Sequence, residues 1–318
     1  MKNIITAIVA ATISASAESH LNHLAPIGVM GDHLHEKGKF MTSYRYRYMQ
    51  MNENFDGTSA VSDATVRNNF AVSPTDMDMQ MHMIGLMYAP TDNITFMAMV
   101  NLVELSMNHE RRDGVKFKTT SSGLGDSSLG AFFRITNRLH GGLGVILPTA
   151  EVEETDFIPG PGETRLPYPM QLGAGSWGLM PSLTYRQFYS DWYWGSQVSG
   201  KIFLDDNSEG YRVGNRIEFT SWAVKPINEN FSISARINFS DWGNIDGEDE
   251  DLLPLPVPTA RTDLRGGSRL DLLVGVNIFD NHSGLNGGIE FGQTLWQDLD
   301  GPQLGSDWSL TAGIRYSF

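Results

Sequence analysis

The sequence predicts an all-β chain, a transmembrane antiparallel up-and-down β-barrel of about twelve strands. Three observations carry that reading. Segments of alternating polarity recur along the chain, the connections between them run mostly short then long, and the last segment alternates up to a terminal aromatic residue. Met1 to Ala17 (MKNIITAIVAATISASA) has one Lys, an apolar stretch from Ile4 to Ile13 and small residues at Ala15-Ser16-Ala17. That is the pattern of a cleaved signal peptide and of export through the inner membrane. The expected organisation is therefore a signal peptide at 1–17, a His/Met-containing segment at 18–38 and a barrel at 39–318. The middle segment would plug the barrel or lie in the periplasm.

The terminal segment is the clearest. Trp308, Leu310, Ala312, Ile314, Tyr316 and Phe318 share one face, and Ser309, Thr311, Gly313, Arg315 and Ser317 share the other. Period-2 alternation of this kind is a strand with one apolar and one polar side. Phe231 to Phe239, Arg269 to Ile278 and Ser128 to Ile135 repeat it, with charged residues in mid-strand on the less apolar face. A charge there needs water or a partner, and a polar lumen supplies both. Such runs place strands near 39–54, 72–89, 94–108, 126–136, 140–149, 178–189, 192–204, 211–224, 230–242, 267–279, 286–297 and 307–318. Short turns fall at 90–93, 136–138, 189–191, 228–230 and 280–284. Longer loops fall at 55–71, 109–125, 150–177 and 243–266. Short turns on one rim and long loops on the other are the plan of a bacterial outer-membrane barrel.

Composition narrows the classes. Mean hydropathy is −0.23, and no second apolar run reaches the ~20 residues of a spanning helix. Barrel strands average their two faces, so this value is compatible with a membrane barrel. The net charge of −14 gives the chain no general attraction for nucleic acid. Cysteine is absent, which rules out disulfides and thiolate metal sites. The acidic runs Glu151–Asp156 and Asp246–Asp251 read as solvated loops; carboxylates could also take a divalent cation, but the second run lacks the spacing of a calcium loop.

Twelve of the fifteen methionines lie between Met30 and Met107. Tracing outward aromatics through the first three strands turns Met77, Met79, Met81, Met83, Met97 and Met99 toward the lumen. Asp78, Gln80 and His82 then face outward, which requires either a position above the lipid band or a bulge. Two readings follow. Methionine is an adaptable apolar filler; its thioether is also a soft ligand for copper or a similar metal. With His20, His23, Met30, His33 and His35, the same residues form a candidate metal-handling set, although no fixed four-ligand spacing is visible. The expected lumen charges are Arg45, Arg47, Arg134, Arg186, Arg212, Arg216, Glu218, Arg236, Arg269, Asp271, Glu290 and Arg315. Fixed charges of this kind set the barrier for a permeant, or neutralise one another and stiffen a narrow barrel.

Ser122-Gly123-Leu124-Gly125-Asp126, Gly144-Val145-Ile146-Leu147-Pro148-Thr149, Leu172-Gly173-Ala174-Gly175-Ser176-Trp177 and Asp298-Leu299-Asp300-Gly301-Pro302-Gln303-Leu304 occur in that order. On these stretches the chain resembles the outer-membrane transporter family associated with the meta-pathway of phenol degradation. The resemblance implies a barrel that passes small, often aromatic, molecules and has no agreed catalytic residues. The Met/His-rich first third is not part of that general pattern. The ending Tyr316-Ser317-Phe318 resembles the signal read by the barrel assembly machinery. The expected surroundings are outer-membrane lipid and lipopolysaccharide. No phosphate loop, H-E-x-x-H or G-x-S-x-G motif is present. His109 and His140 lack a distinctive Ser partner, so the expectation is a channel and not an enzyme, with an outer-membrane lipid-modifying enzyme a remote alternative.

Overall fold

Strands with one apolar and one polar face can sit in lipid only if the ladder closes and leaves no edge. In the computed structural model, which describes residues 24–252, 256–280 and 283–318, the ladder does close. The wall begins with β1 (Phe40–Gly57), which carries a short pairing strand β2 (Ser59–Val61) and a helix α1 (Asp63–Asn69). It continues with β3 (Val72–Thr91), β4 (Ile94–Arg111), β5 (Lys116–Leu124), β6 (Ser127–Arg134) and β7 (Leu139–Leu147). After a loop holding β8 (Thr155–Ile158) and β9 (Gly162–Arg165) come β10 (Gly178–Phe188) and β11 (Tyr193–Phe203). Beyond β12 (Tyr211–Arg212), β13 (Arg216–Pro226), β14 (Phe231–Trp242) and β15 (Asp246–Gly247), the wall ends with β16 (Gly267–Phe279) and β17 (Leu285–Ser317).

All pairings are antiparallel, and β17 pairs with β1, Met41 facing Ser317 and Tyr48 facing Leu310. Eleven strand elements make the wall. The last, of 33 residues, doubles back, pairing β16 through 286–299 and β1 through 299–317. Its two limbs bring the number of passages to the twelve that alternation predicts. β5 and β6 share one passage, since both pair β4, on its two ends.

The differences from expectation lie at the long-loop rim. The segment 109–125 is not a loop: β4 runs on to Arg111 and β5 returns along it, raising the wall on that side. The strand expected at 211–224 starts at Arg216. Tyr211 and Arg212 leave the wall to pair with Asp246 and Gly247, and Arg212 bonds Asp206 and Asp246 outside the lumen. Side-chain attraction to that acidic loop outweighs continuation of the alternating pattern, so Arg212 is not a lumen charge. Arg134 has the inward parity but stands exposed at the short-turn rim, donating to the Asp92 carbonyl, and is likewise not in the lumen.

Outward faces are apolar, with Ile84, Leu86, Phe96, Val100, Ile233, Val274, Ile289 and Ile314 among the exposed side chains. Outward Asp78, Gln80 and His82 are accommodated without a face swap. Each meets a tyrosine hydroxyl from β1: Tyr48 donates to Asp78, Tyr46 donates to Gln80 at 2.8 Å, and Tyr44 bonds His82 Nδ1 at 2.8 Å. A buried or lipid-facing polar atom is tolerable once hydrogen-bonded. Tyr316 and Phe318 face outward and stack, 5.5 Å between centroids, beside Phe40.

Candidate permeation path

The lumen is filled from both ends by the chain itself. From the short-turn end, residues 24–35 run inside the wall, Leu24, Ala25, Ile27, Val29, Asp32 and His35 being buried. Lumen side chains hold this backbone. Arg45 Nε donates to the Ile27 carbonyl at 3.0 Å, Gln197 donates to the Met30 carbonyl at 3.0 Å, and His140 Nε2 lies 2.8 Å from the Gly31 carbonyl. Ala25 and Val29 pack on Tyr193, Trp222 and Val224. Two glycines permit the fit. A Cβ on Gly28 would sit 2.2 Å from Glu290 Oε2, and one on Gly31, at φ +62°, would sit 2.3 Å from the Phe132 ring.

Asp32 ties the segment together. Its carboxylate accepts from the Ala25 amide at 3.0 Å and lies 2.9 Å from His33 Nδ1. Burial alone would raise its pKa; the neighbouring His33, with Arg315 and Arg186, outweighs burial and holds the carboxyl well below the usual range. Burial, with His33 adding to it against Asp32, lowers His35 to about 3.

From the long-loop end, the connection between β7 and β10 dips inward. Leu166, Met170 and Leu172 pack on Met77, Val103, Leu105 and Met107, with Met51, Met79 and Met81 at the margin. Ser121 donates to the Met170 carbonyl. At the other end Met41, Met87 and Met97 pack around Phe132 and Leu34. The inward methionines thus grip two inserted segments of irregular shape, a task suited to an unbranched, flexible side chain. In register, Met77 faces both Met51 and Met107, and Met79 faces Met49. Met83 is buried beside Arg45 in register, and Met99 faces Gly85. His20 and His23 lie outside the described residues. His33 and His35 rings meet edge to face at 4.8 Å. Among the described residues, the carboxylates of Glu209, Asp249 and Asp251 are the set of three that approach one another closely enough for an ion. Arg165 sits among them, at 3.0, 3.2 and 3.2 Å. The acidic loop is therefore a clasp that fastens 150–177 to 205–213 and 246–252.

Beneath that clasp is a cavity of about 270 Å³. Met51, Met77, Met107, Tyr168, Tyr211, Val213, Trp242, Ile245, Leu299 and Leu304 make it mainly apolar, and Arg265, Arg269 and Gln303 supply polar groups. An apolar cavity of about 150 Å³ is enough for benzene, so a single-ring compound fits.

Between the cavity and the N-terminal segment lies a charged middle. Arg236 and Glu290 form a bidentate pair at 2.6 and 2.8 Å, Arg269 bonds Asp271 at 3.0 Å, and Arg216 bonds Glu218 at 2.8 Å. Arg45, Arg47, Lys201 and Arg315 also point inward, and among the described residues none has a carboxylate within 4.0 Å. Arg186 lies over the Phe188 and Tyr193 rings. Lys201, Arg265 and the segment's Asp32 are members that alternation alone did not single out. Lys201 has inward parity in its strand, so the signal was present for that residue.

His109 and His140, the remote catalytic candidates, are engaged otherwise, with Thr119 Oγ1 and the Gly31 carbonyl.

No protein-family model matches the chain, and no curated protein matches it by sequence. Solved structures do. An outer-membrane channel from Pseudomonas putida F1 superimposes with a TM-score of 0.61 at 13% identity, covering 91% of this chain and 99% of that one. The translocator domain of the autotransporter NalP from Neisseria meningitidis reaches 0.48 at 10% identity, over 89% and 90% of the two chains. The P. putida toluene transporter TodX reaches 0.43 at 12% identity, over 89% and 90%. The first of these likenesses shows the fold: a closed outer-membrane-type barrel.

Proposed function

We propose that this chain is an outer-membrane channel for small, largely apolar molecules, aromatic ones included, with residues 24–35 as its internal plug. The observation that carries the reading is the apolar cavity at the long-loop mouth, continuous in direction with a polar lumen that the chain's own N-terminal segment fills. A cavity with this lining would bind a ring by burial alone, at roughly 25 cal/mol per Å² of apolar surface. The polar middle would let bound molecules leave it. The motifs that resemble the phenol-degradation transporters support an aromatic permeant, and the fold shared with the P. putida channel supports the location. The long loops then face outside, the short turns face the periplasm, and Tyr316 and Phe318 serve recognition by the assembly machinery. The reading assigns no catalytic role.

The test is uptake of radiolabelled phenol and toluene by a porin-deficient host expressing the folded barrel. Uptake should rise severalfold over the empty host and fall back when Ile245→Trp fills the cavity. No rise with the barrel folded in the outer membrane would overturn the proposal.

A further inference from the structure

The lumen reverses the sign of the chain. The protein as a whole carries −14, yet the inward face holds more cations than carboxylates, because three arginines are paired while Arg45, Arg47, Lys201 and Arg315 have no carboxylate within 4.0 Å among the described residues. Arg315 is only 2% exposed, and among the described residues its Nε and Nη2 have no acceptor; Arg47 Nε is in the same condition. A buried guanidinium with free donors is costly unless something anionic or strongly accepting meets it. These residues also form a sequence of stations. Arg265 and Arg269 line the mouth cavity. Lys201 pairs with Arg216 in register; on β1, Arg47 lies one inward position nearer the mouth than Arg45, and Arg315 pairs with Ser43 one inward position deeper. The one carboxylate that residues 24–35 bring inside, Asp32, is engaged by the Ala25 amide and His33.

We propose that the permeant is an amphipathic anion, an apolar ring or short chain bearing a carboxylate or similar group. Its apolar part occupies the mouth cavity and its anion passes from Arg269 to Arg47 and Lys201, then to Arg45 and Arg315. Asp32 stays bonded to the Ala25 amide and His33, beyond 4.0 Å of both guanidinia, and so leaves Arg315 Nε and Nη2 to an arriving anion. The inference rests on the channel reading above and narrows its substrate class. The acidic outer loops do not oppose it. Arg165 offsets one of the three nearest carboxylate charges, and exposed charges are screened within about 8 Å at physiological salt. Arginine suits the role because its planar fork meets a carboxylate through two donors.

Permanently charged probes of one size test this without leaking through lipid. The full-length barrel in liposomes is exposed to benzenesulfonate or to phenyltrimethylammonium, and influx is read by swelling. Benzenesulfonate should pass at least about tenfold faster, the ratio expected of a single favourable charge contact of ~1.4 kcal/mol. Arg47→Gln with Lys201→Gln should bring the two rates within about twofold, while Arg47→Lys keeps the preference. Equal rates in the unaltered protein, or faster passage of the cation, would overturn the anion inference and leave the channel reading standing. Influx of neither probe above protein-free liposomes would overturn both.

Discussion

Glu290→Gln tests whether the charged middle holds the barrel and its inner segment together. Glu290 is 1% exposed and Arg236 9%, and their two contacts at 2.6 and 2.8 Å are charge-assisted. Replacing the carboxylate with an amide removes the counter-charge and one of the two acceptors, leaving a buried guanidinium whose other contact is Thr220 Oγ1 at 3.4 Å. Breaking a buried pair from one side costs about 3–5 kcal/mol. Water in the lumen favours the lower end, about 3 kcal/mol, roughly a hundredfold in the folding equilibrium. The Gly28 backbone rests on this pair so closely that a Cβ would overlap both side chains, so the segment should loosen as well. The assay is urea unfolding of the barrel in lipid, followed by tryptophan fluorescence and by the mobility shift of the folded band. Arg236→Met with Glu290→Met, which removes both charges and keeps volume, should recover stability to within about 1 kcal/mol. A cost below about 1 kcal/mol for Glu290→Gln would refute the reasoning, because that is the behaviour of an exposed pair.

Acid should release the N-terminal segment. His35 has a folded pKa of about 3 against an ordinary value near 6.5, so between those values the released form binds more protons and stability falls as pH falls. Asp32, whose folded pKa is depressed, adds to the loss only as the pH drops below about 4. The chain has no cysteine, so Val29→Cys gives a single reporter. Its maleimide labelling, normalised to unfolded protein at each pH, should rise up to about thirtyfold from pH 7.5 to pH 5, and a flat ratio would contradict the account. Met79→Leu with Met81→Leu separates packing from metal handling. If the methionines grip the inserted loop, unfolding free energy should change by less than about 1.5 kcal/mol, as for other volume-conserving swaps, with no change in Cu(I) titration. Loss of a Cu(I) stoichiometry from the folded variant would assign the metal role instead.

The wall was legible because the period-2 rule acts on every passage independently, and lipid punishes an error at any one of them. Boundaries failed only where lipid is not the neighbour. Above the band, β4 and β5 extend because their backbones still pair, and Tyr211-Arg212 departs because Asp246 and Asp206 attract it. Alternation shows which face a residue occupies, and Met77, Met83, Arg45, Arg236 and Arg315 are on the buried face of their strands. It does not show height, so Arg134 and Arg212 share the inward pattern with lumen residues that they do not meet. Outward Asp78, Gln80 and His82 looked like a contradiction for a related reason: their partners, Tyr48, Tyr46 and Tyr44, come from the neighbouring strand, and cross-strand register is not readable from one segment.

What fills the lumen was the least legible part, and the methionines explain why. A filler residue leaves no periodic trace of what it packs against, since its flexibility is what suits it to irregular surfaces. The two clusters, Met41, Met87 and Met97 around Leu34 and Met77 and Met107 around Leu166, Met170 and Leu172, fix where the insertions end. The path left between them is lined by arginines with spare donors, and passage along it requires one or both insertions to yield. The N-terminal segment is the natural one to yield. It is held by three side-chain contacts to its carbonyls, by Thr95 on the His35 amide and by the packing of Ala25, Val29 and Leu34, all without an ion pair to the wall among the described residues, whereas the long-loop insertion is fastened by the Arg165 clasp and a continuous apolar cluster. Breaking the clasp with Arg165→Leu should therefore alter access to the mouth cavity while leaving maleimide labelling at Val29→Cys unchanged; coupled changes at both ends would mean that the two insertions move as one.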